Sequence, residues 1–187
     1  MKAKAIIFDL DGTLLESMHI WQEPVDRKRV AMRYKTEVVL KPGVLEFLQS
    51  LNQYQIPMIL ATATDREMME PALHRNEIYD FFDTILTCKE VGESKLTPLI
   101  YHAALERLSS AGIKQQDVLI FEDAHYAIRT TTTANFRTVA IADEWVHLYG
   151  EQIPHKEIIS LCEMYVEDYR KLSVTASGDG SVVLNKS

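Results

Sequence analysis

Short apolar runs alternate with longer amphipathic segments along the chain. The runs are too short for helices but suit strands that are buried on both faces of a sheet. They lie at residues 5–8, 56–61, 81–86, 118–121 and 138–142. Segments with apolar residues at helical spacing follow most of them, which is the pattern of repeated strand–helix units. We therefore predict an α/β fold: a doubly wound parallel β-sheet of about five strands with helices on both faces.

The helical spacing also predicts how the rest of the chain is organised. Helices are expected at residues 44–51, 66–74, 98–110, 124–134 and 153–172. Residues 1–172 are predicted to form one domain, in which residues 16–40 are a small insertion with one short amphipathic helix. Serine, glycine and aspartate dominate from Ser173 onward, so residues 173–187 are expected to form a flexible C-terminal tail.

Composition and charge narrow the class of protein. The 187 residues are 47% hydrophobic and 25% charged, which is typical of a globular domain. A net charge of −7 argues against a nucleic-acid or membrane-surface binder, because both need a basic face. Cys88 and Cys162 lie far apart and outside any zinc-ligand spacing, and Asp9 and Asp11 interrupt the apolar N-terminal run. We expect a cytoplasmic protein that acts on a small molecule.

Acidic side chains follow two of the predicted strands. Asp9 and Asp11 come directly after the first strand, and Glu122 and Asp123 end the fourth. The carboxyl ends of parallel strands meet at the edge of a sheet where ligands bind. Carboxylates that converge there repel one another and favour a divalent cation, and oxygen ligands suit Mg²⁺. A hairpin turn at Asp11-Gly12 is the alternative, but residues 13–16 do not alternate as a returning strand would.

A magnesium site at this edge predicts phosphate chemistry. Thr62 ends the second strand and offers a hydroxyl group, and Lys95 precedes a helix and would neutralise developing charge. Asp9 would attack phosphorus and form an aspartyl-phosphate. Asp11 would protonate the leaving oxygen and then activate water.

These residues carry a resemblance to a known family. Four segments resemble, in their order and spacing, the four motifs of the haloacid dehalogenase superfamily of phosphohydrolases. They are Asp9 to Thr13, Thr62 after an apolar strand, Lys95, and Phe121-Glu122-Asp123. Residues 121–128 further resemble the branch of β-phosphoglucomutase and phosphoglycolate phosphatase. The resemblance covers about residues 4–142.

The resemblance assigns a role to each motif residue. It implies that Asp9 is the nucleophile and a metal ligand, and that Asp11 is the acid and base whose carbonyl oxygen also binds the metal. Asp123 would complete the Mg²⁺ site, with Glu122 supporting it. The phosphoryl group would be held by Thr62, Ala63 and Lys95. The substrate would be a small phosphorylated metabolite.

Two features depart from the family pattern. The residues after Lys95 differ from the usual motif, which makes Lys89 a rival phosphate-binding lysine. Residues 16–40 are much shorter than the helical lid of family members that carry an insertion here, so the site is expected to be open. A bulky substrate, a homo-oligomer that covers the site, or weak selectivity would each fit. His19, Trp21 and Arg27 are candidate substrate contacts.

Other functions remain open at this stage. A phosphomutase would use the same residues, although a short lid shields a phosphorylated intermediate poorly. A phospho-receiver module also combines acidic strand ends with a threonine and a lysine, and a non-catalytic binding module is a third alternative. True dehalogenation would need neither a metal nor Asp11. A magnesium-dependent phosphatase accounts for the complete set of acids.

Overall fold

Nine strands form two sheets in the computed structural model, which describes residues 1–22, 25–146 and 153–187. The strands are β1 (Lys2–Ala3), β2 (Ala5–Phe8), β3 (Met58–Thr62), β4 (Thr84–Thr87), β5 (Val118–Glu122), β6 (Arg137–Ile141), β7 (Met164–Val166), β8 (Leu172–Ala176) and β9 (Val182–Lys186). The main sheet has six strands in the order β4-β3-β2-β5-β6-β7, and every neighbouring pair is parallel. This confirms the predicted doubly wound sheet, with one strand more than expected.

The central strands are buried on both faces. In β2, Ile6 and Phe8 belong to the apolar core on one face, whereas Ala5 and Ile7 belong to the core on the other. This two-sided burial explains the continuous apolar run. The strand order reverses between β2 and β5, so the crevice above their carboxyl ends is the expected place for a ligand.

Helices cover both faces of the main sheet. They are α1 (Arg27–Thr36), α2 (Val44–Gln53), α3 (Arg66–Arg75), α4 (Cys88–Val91), α5 (Leu99–Ser109), α6 (His125–Thr133) and α7 (His155–Leu161). Asn135 follows α6 with a φ of 60°, the left-handed conformation expected at a helix end. Within the described ranges, every helix is too short or too polar to cross a lipid bilayer.

The described residues of the predicted insertion, 16–22 and 25–40, lie against the sheet domain and are here called the cap segment. A short 3-10 helix (Met18–Trp21) precedes α1 in this segment, and the Asp26 side chain caps α1 by accepting hydrogen bonds from two backbone N–H groups. Val30 and Tyr34 are the buried residues of α1, which packs on α3. The described part of the segment is therefore a short 3-10 helix followed by one α-helix that packs on the sheet domain.

The predicted terminal helix over residues 153–172 is wrong. Helix α7 ends at Leu161, and Met164–Val166 instead forms the sixth strand of the main sheet, in register with Val139–Ile141 of β6. Tyr169 stacks on Phe121. The apolar residues over 153–172 do have helical spacing. Part of the stretch nevertheless forms a strand, because its backbone pairs with the open edge of β6.

The expectation of a flexible tail over residues 173–187 is also wrong. Strands β8 and β9 form an antiparallel hairpin, and β1 pairs with β9 to make a three-stranded sheet. Val182 and Leu184 are fully buried in the core beside α2. The serine, glycine and aspartate content marks the turn of this hairpin, where Gly178 and Gly180 have positive φ angles.

Candidate active site

The four motif segments converge at the carboxyl edge of the main sheet. Asp9 follows β2, and its N–H donates to Phe121 O of β5 at 2.9 Å, which fixes the two strand ends together. Gly12 has a φ of +79°, and a Cβ atom there would lie 2.2 Å from Asp123 Oδ2. Only glycine therefore lets the turn after β2 approach the Asp123 carboxylate so closely.

A buried acidic cluster lies at this edge. One carboxylate oxygen from each of Asp9, Glu122 and Asp123 lies within 4.8 Å of the others. Thr13 Oγ1 donates to Asp123 Oδ1 at 2.9 Å. Glu122 Oε2 and Asp123 Oδ2 are buried and accept no hydrogen bond from the residues that the structure describes. A hard divalent cation binds oxygen ligands, and buried carboxylate oxygens without a hydrogen-bond donor need a positively charged partner. The cluster therefore fits a metal ion.

The pKa values of the clustered carboxyl groups also favour a bound cation. Burial, together with the charge of Glu122, raises the pKa of Asp9 to about 6. Burial and the charge of Asp9 also raise the pKa of Asp123 well above its usual range. Negative charge is therefore in excess at this edge, and a cation would stabilise the ionised form of both groups.

Lys95 is the cation that the cluster already contains. Its side chain is 2% exposed, and Nζ donates to Asp9 Oδ1 and, at 2.5 Å, to Glu122 Oε1. Tyr101 Oη donates to the same Glu122 oxygen at 2.5 Å. Burial lowers the pKa of Lys95, but Asp9 and Glu122 raise it above its usual range. The rival Lys89 is 70% exposed and has Asp65 as its ion-pair partner, so the structure brings Lys95 and not Lys89 to the site.

The end of β3 provides the other predicted phosphate-binding residues. Thr62 and Ala63 line the same cavity as Asp9 and Lys95. Thr62 is buried, and its Oγ1 accepts a hydrogen bond from the N–H of Thr64 at 3.1 Å. This local turn fixes the loop beside Asp9.

The carboxylate of Asp11 lies outside the acidic cluster. Its Oδ1 accepts hydrogen bonds from Ser17 Oγ, at 2.6 Å, and from Tyr34 Oη, and its Oδ2 accepts one from Thr64 Oγ1 at 2.6 Å. Burial raises the pKa of Asp11, and these hydroxyl groups oppose that shift. Metal ligation by the carbonyl oxygen of Asp11 stays a prediction. Sequence reasoning missed Ser17, Tyr34 and Thr64; only Thr64 carried a signal, as part of the polar tip after β3.

The cap segment forms one wall of the cavity. A volume of about 350 Å³ lies between Asp9 and Lys95 on the sheet side and Met18, Trp21 and Arg27 on the cap side. Arg27 donates to Asp65 Oδ2 at 2.5 Å, and both residues line the cavity. Of the predicted substrate contacts, Trp21 and Arg27 line this cavity, while His19 lines a separate one.

Comparison with known proteins agrees with this arrangement. A family model described as "Haloacid dehalogenase-like hydrolase" matches residues 24–141. A phosphorylated carbohydrates phosphatase of Thermotoga maritima is 28% identical over 114 residues, which is 61% of this chain and 50% of that protein. A (DL)-glycerol-3-phosphatase 2 of Arabidopsis thaliana is 23% identical over 168 residues, or 88% of this chain and 70% of that protein. The chain spans about half the length of several of the curated relatives it matches.

Solved structures show the same fold. The crystal structure of CbbY from Rhodobacter sphaeroides in complex with phosphate superposes with a TM-score of 0.72. The match covers 89% of this chain and 95% of that one, at 17% sequence identity. At this identity the likeness concerns the fold alone.

Proposed function

Because the chain belongs to the haloacid dehalogenase-like hydrolase family, as its motifs predicted, we propose that it is a magnesium-dependent phosphatase. Its substrate is a small phosphomonoester, and the phosphoryl group passes through an aspartyl-phosphate on Asp9. One observation carries this proposal: four charged residues are buried together at the carboxyl edge of a parallel sheet, namely Asp9, Lys95, Glu122 and Asp123. All of them except Asp123 line the same cavity. The phosphatase names of the curated relatives support the reaction class.

Asp9 is the nucleophile in the first step. A carboxylate oxygen attacks phosphorus, and the new O–P bond forms as the bond to the leaving oxygen breaks. Lys95 stabilises the charge on the phosphoryl oxygens, and Thr62 and Ala63 bind the same oxygens through hydroxyl and backbone N–H groups. Asp9, Asp123 and the carbonyl of Asp11 would hold Mg²⁺, which supplies the positive charge that lets an anionic ester approach the carboxylates.

Asp11 moves the protons in both steps. Its carboxyl group gives a proton to the leaving oxygen as the ester bond breaks. The resulting carboxylate then takes a proton from the water that attacks the aspartyl-phosphate. This second displacement releases inorganic phosphate, restores the Asp9 carboxylate and leaves Asp11 protonated for the next turnover.

The cap segment would contact the leaving group. Trp21 and Arg27 line the cavity opposite Asp9, so substitutions there would change the preference among esters. We also propose a cytoplasmic location, which fits two cysteines that form no disulfide. A homo-oligomer that covers the site stays a prediction.

Phosphate release from a panel of sugar, glycerol and nucleoside phosphates tests this function. We expect release by the parent protein with Mg²⁺, none with EDTA, and a loss of at least about 10³-fold in kcat for Asp9→Asn. Asp80→Asn is the matched control, because it makes the same change at an exposed carboxylate outside the cavity. A folded parent protein that binds Mg²⁺ but releases phosphate from no ester would contradict the proposal. Formation of an isomeric ester instead would identify a phosphomutase.

A further inference from the structure

We propose that Tyr34 of the cap segment is a positioning residue that fixes the orientation of the Asp11 carboxylate. Tyr34 does not line the cavity, so it acts through Asp11 and not on the substrate. It is fully buried, 23 residues further along the chain, and its Oη donates to Asp11 Oδ1. This inference rests on the proposed function, because it concerns Asp11, the residue to which that function gives both proton transfers.

The hydrogen bonds of the Tyr34 hydroxyl group give it one acceptor role and one donor role. A phenol has a single proton to donate, and an indole N–H can only donate. Trp21 Nε1 donates to Tyr34 Oη at 3.1 Å, so Tyr34 is the acceptor in that bond. The Tyr34 proton is therefore directed at Asp11. The Trp21 ring also packs edge-on against the Tyr34 ring, with centroids 6.2 Å apart, which restrains both side chains.

The Asp11 carboxylate is held on both of its oxygens. Ser17 and Tyr34, both of the cap segment, donate to Oδ1, while Thr64 of the sheet domain donates to Oδ2. A carboxylate whose two oxygens both accept hydrogen bonds from fixed donors has one preferred rotamer. Loss of Tyr34 Oη removes the donor that comes from α1 and leaves Trp21 Nε1 without this acceptor.

Tyr34 is itself fixed to the sheet domain. The Arg75 guanidinium of α3 donates to Tyr34 O at 3.4 Å and also to Val38 O. Asn76 Nδ2 donates to Val38 O at 3.0 Å. Both residues lie at the end of α3, so they tie the end of α1 to the body of the protein. The orientation of Asp11 is therefore set by a docked helix.

Kinetics of Tyr34→Phe on two esters test the inference. An alkyl phosphate has a leaving group that needs a proton, whereas p-nitrophenolate leaves without one, so only the first depends strongly on an oriented Asp11. We expect kcat/KM to fall about tenfold or more for the alkyl ester and less than about twofold for p-nitrophenyl phosphate. Tyr79→Phe removes the same atom from a tyrosine outside the cavity, and it should leave both values unchanged.

A double-mutant cycle separates positioning from general damage. If Tyr34 acts through Asp11, Tyr34→Phe should cause no further loss in the Asp11→Asn background. Equal losses in both backgrounds, or parent-like kinetics on the alkyl ester, would overturn the inference. Should Tyr34→Phe fail to fold, Arg75→Met removes the guanidinium group that donates to Tyr34 O. Arg75 lies outside the cavity lining, so this variant should give a smaller loss with the same dependence on the leaving group.

A crystal structure of Tyr34→Phe provides a test that needs no activity. The inference predicts that the Asp11 carboxylate leaves its contacts with Ser17 and Thr64 or occupies more than one rotamer. An Asp11 side chain unchanged from the parent would overturn it. Failure of the phosphatase proposal has a different signature, since the parent protein itself would then release no phosphate from any ester.

Discussion

Asp9 and Asp11 lie on one turn after one strand, and both carboxylates are buried, but they face different partners. Asp9 faces charged groups: Lys95, with Glu122 and Asp123 in the same cluster. Asp11 faces hydroxyl groups from the cap segment and from the loop after β3. On the Asp9 side two carboxylate oxygens remain without a donor among the described residues, whereas on the Asp11 side both oxygens are bonded.

Under the proposed function, this difference separates two tasks within one motif. Charged neighbours with unsatisfied acceptors make the Asp9 side a place for a cation and for an anionic phosphoryl group. Neutral donors fix the geometry of Asp11 without adding charge, which suits the proton transfers proposed for it. Two carboxylates two residues apart can therefore take different roles because their surroundings, and not their residue type, differ.

Removal of Lys95 should have the largest effect on the Asp9 side. Lys95→Met leaves the buried carboxylates of Asp9 and Glu122 without their cation, and the free energy of unfolding should fall by about 3–5 kcal/mol without metal. Chemical denaturation with and without Mg²⁺ measures this. Lys89→Met, at an exposed lysine, should change stability by less than about 0.5 kcal/mol. If Lys95→Met lowered the free energy of unfolding no more than Lys89→Met does, the contrast between the charged Asp9 side and the neutral Asp11 side would be wrong.

Gly12→Ala should have a smaller effect that is specific to the Asp123 carboxylate. The new Cβ would lie 2.2 Å from Asp123 Oδ2, so the carboxylate must move, in addition to the cost of about 1 kcal/mol for a side chain at positive φ. We expect a loss of about 2 kcal/mol in the free energy of unfolding and weaker Mg²⁺ binding.

Gly92→Ala is the matched control for Gly12→Ala. Gly92 has a φ of +87° and no atom within 4 Å of an added Cβ, so only the backbone cost of about 1 kcal/mol applies there. Thermal unfolding with and without Mg²⁺ compares the two variants. Equal losses, with unchanged Mg²⁺ binding in both, would show that the close approach to Asp123 has no role in the site.

The sequence predicted the Asp9 side better than the Asp11 side for a physical reason. Asp9, Glu122 and Asp123 directly follow continuous apolar runs, and strands buried on both faces bring such ends together whatever the rest of the chain does. Tyr34 lies on a helix with a mixed polar sequence, and its contact with Asp11 depends on how that helix docks on α3. No local pattern encodes that docking.

The predictions for the C-terminal part of the chain were wrong for a related reason. The apolar stripe over residues 153–172 had helical spacing, but Met164–Val166 found a partner in β6, and that partner lies more than 20 residues earlier in the chain. Val182 and Leu184 likewise are buried only because β9 pairs with β1 at the other end of the sequence. Pairing between distant segments outweighed local periodicity in the first place and local composition in the second.

Mg²⁺ binding to two variants, measured by titration calorimetry, tests the contrast between the two sides most directly. Asp123→Asn removes a charged oxygen of the acidic cluster, and it should weaken Mg²⁺ binding by about tenfold or more. Asp11→Asn changes a carboxylate that lies outside the cluster and keeps the backbone carbonyl, so the affinity should change by less than about threefold. An equal loss of affinity in the two variants would contradict the account.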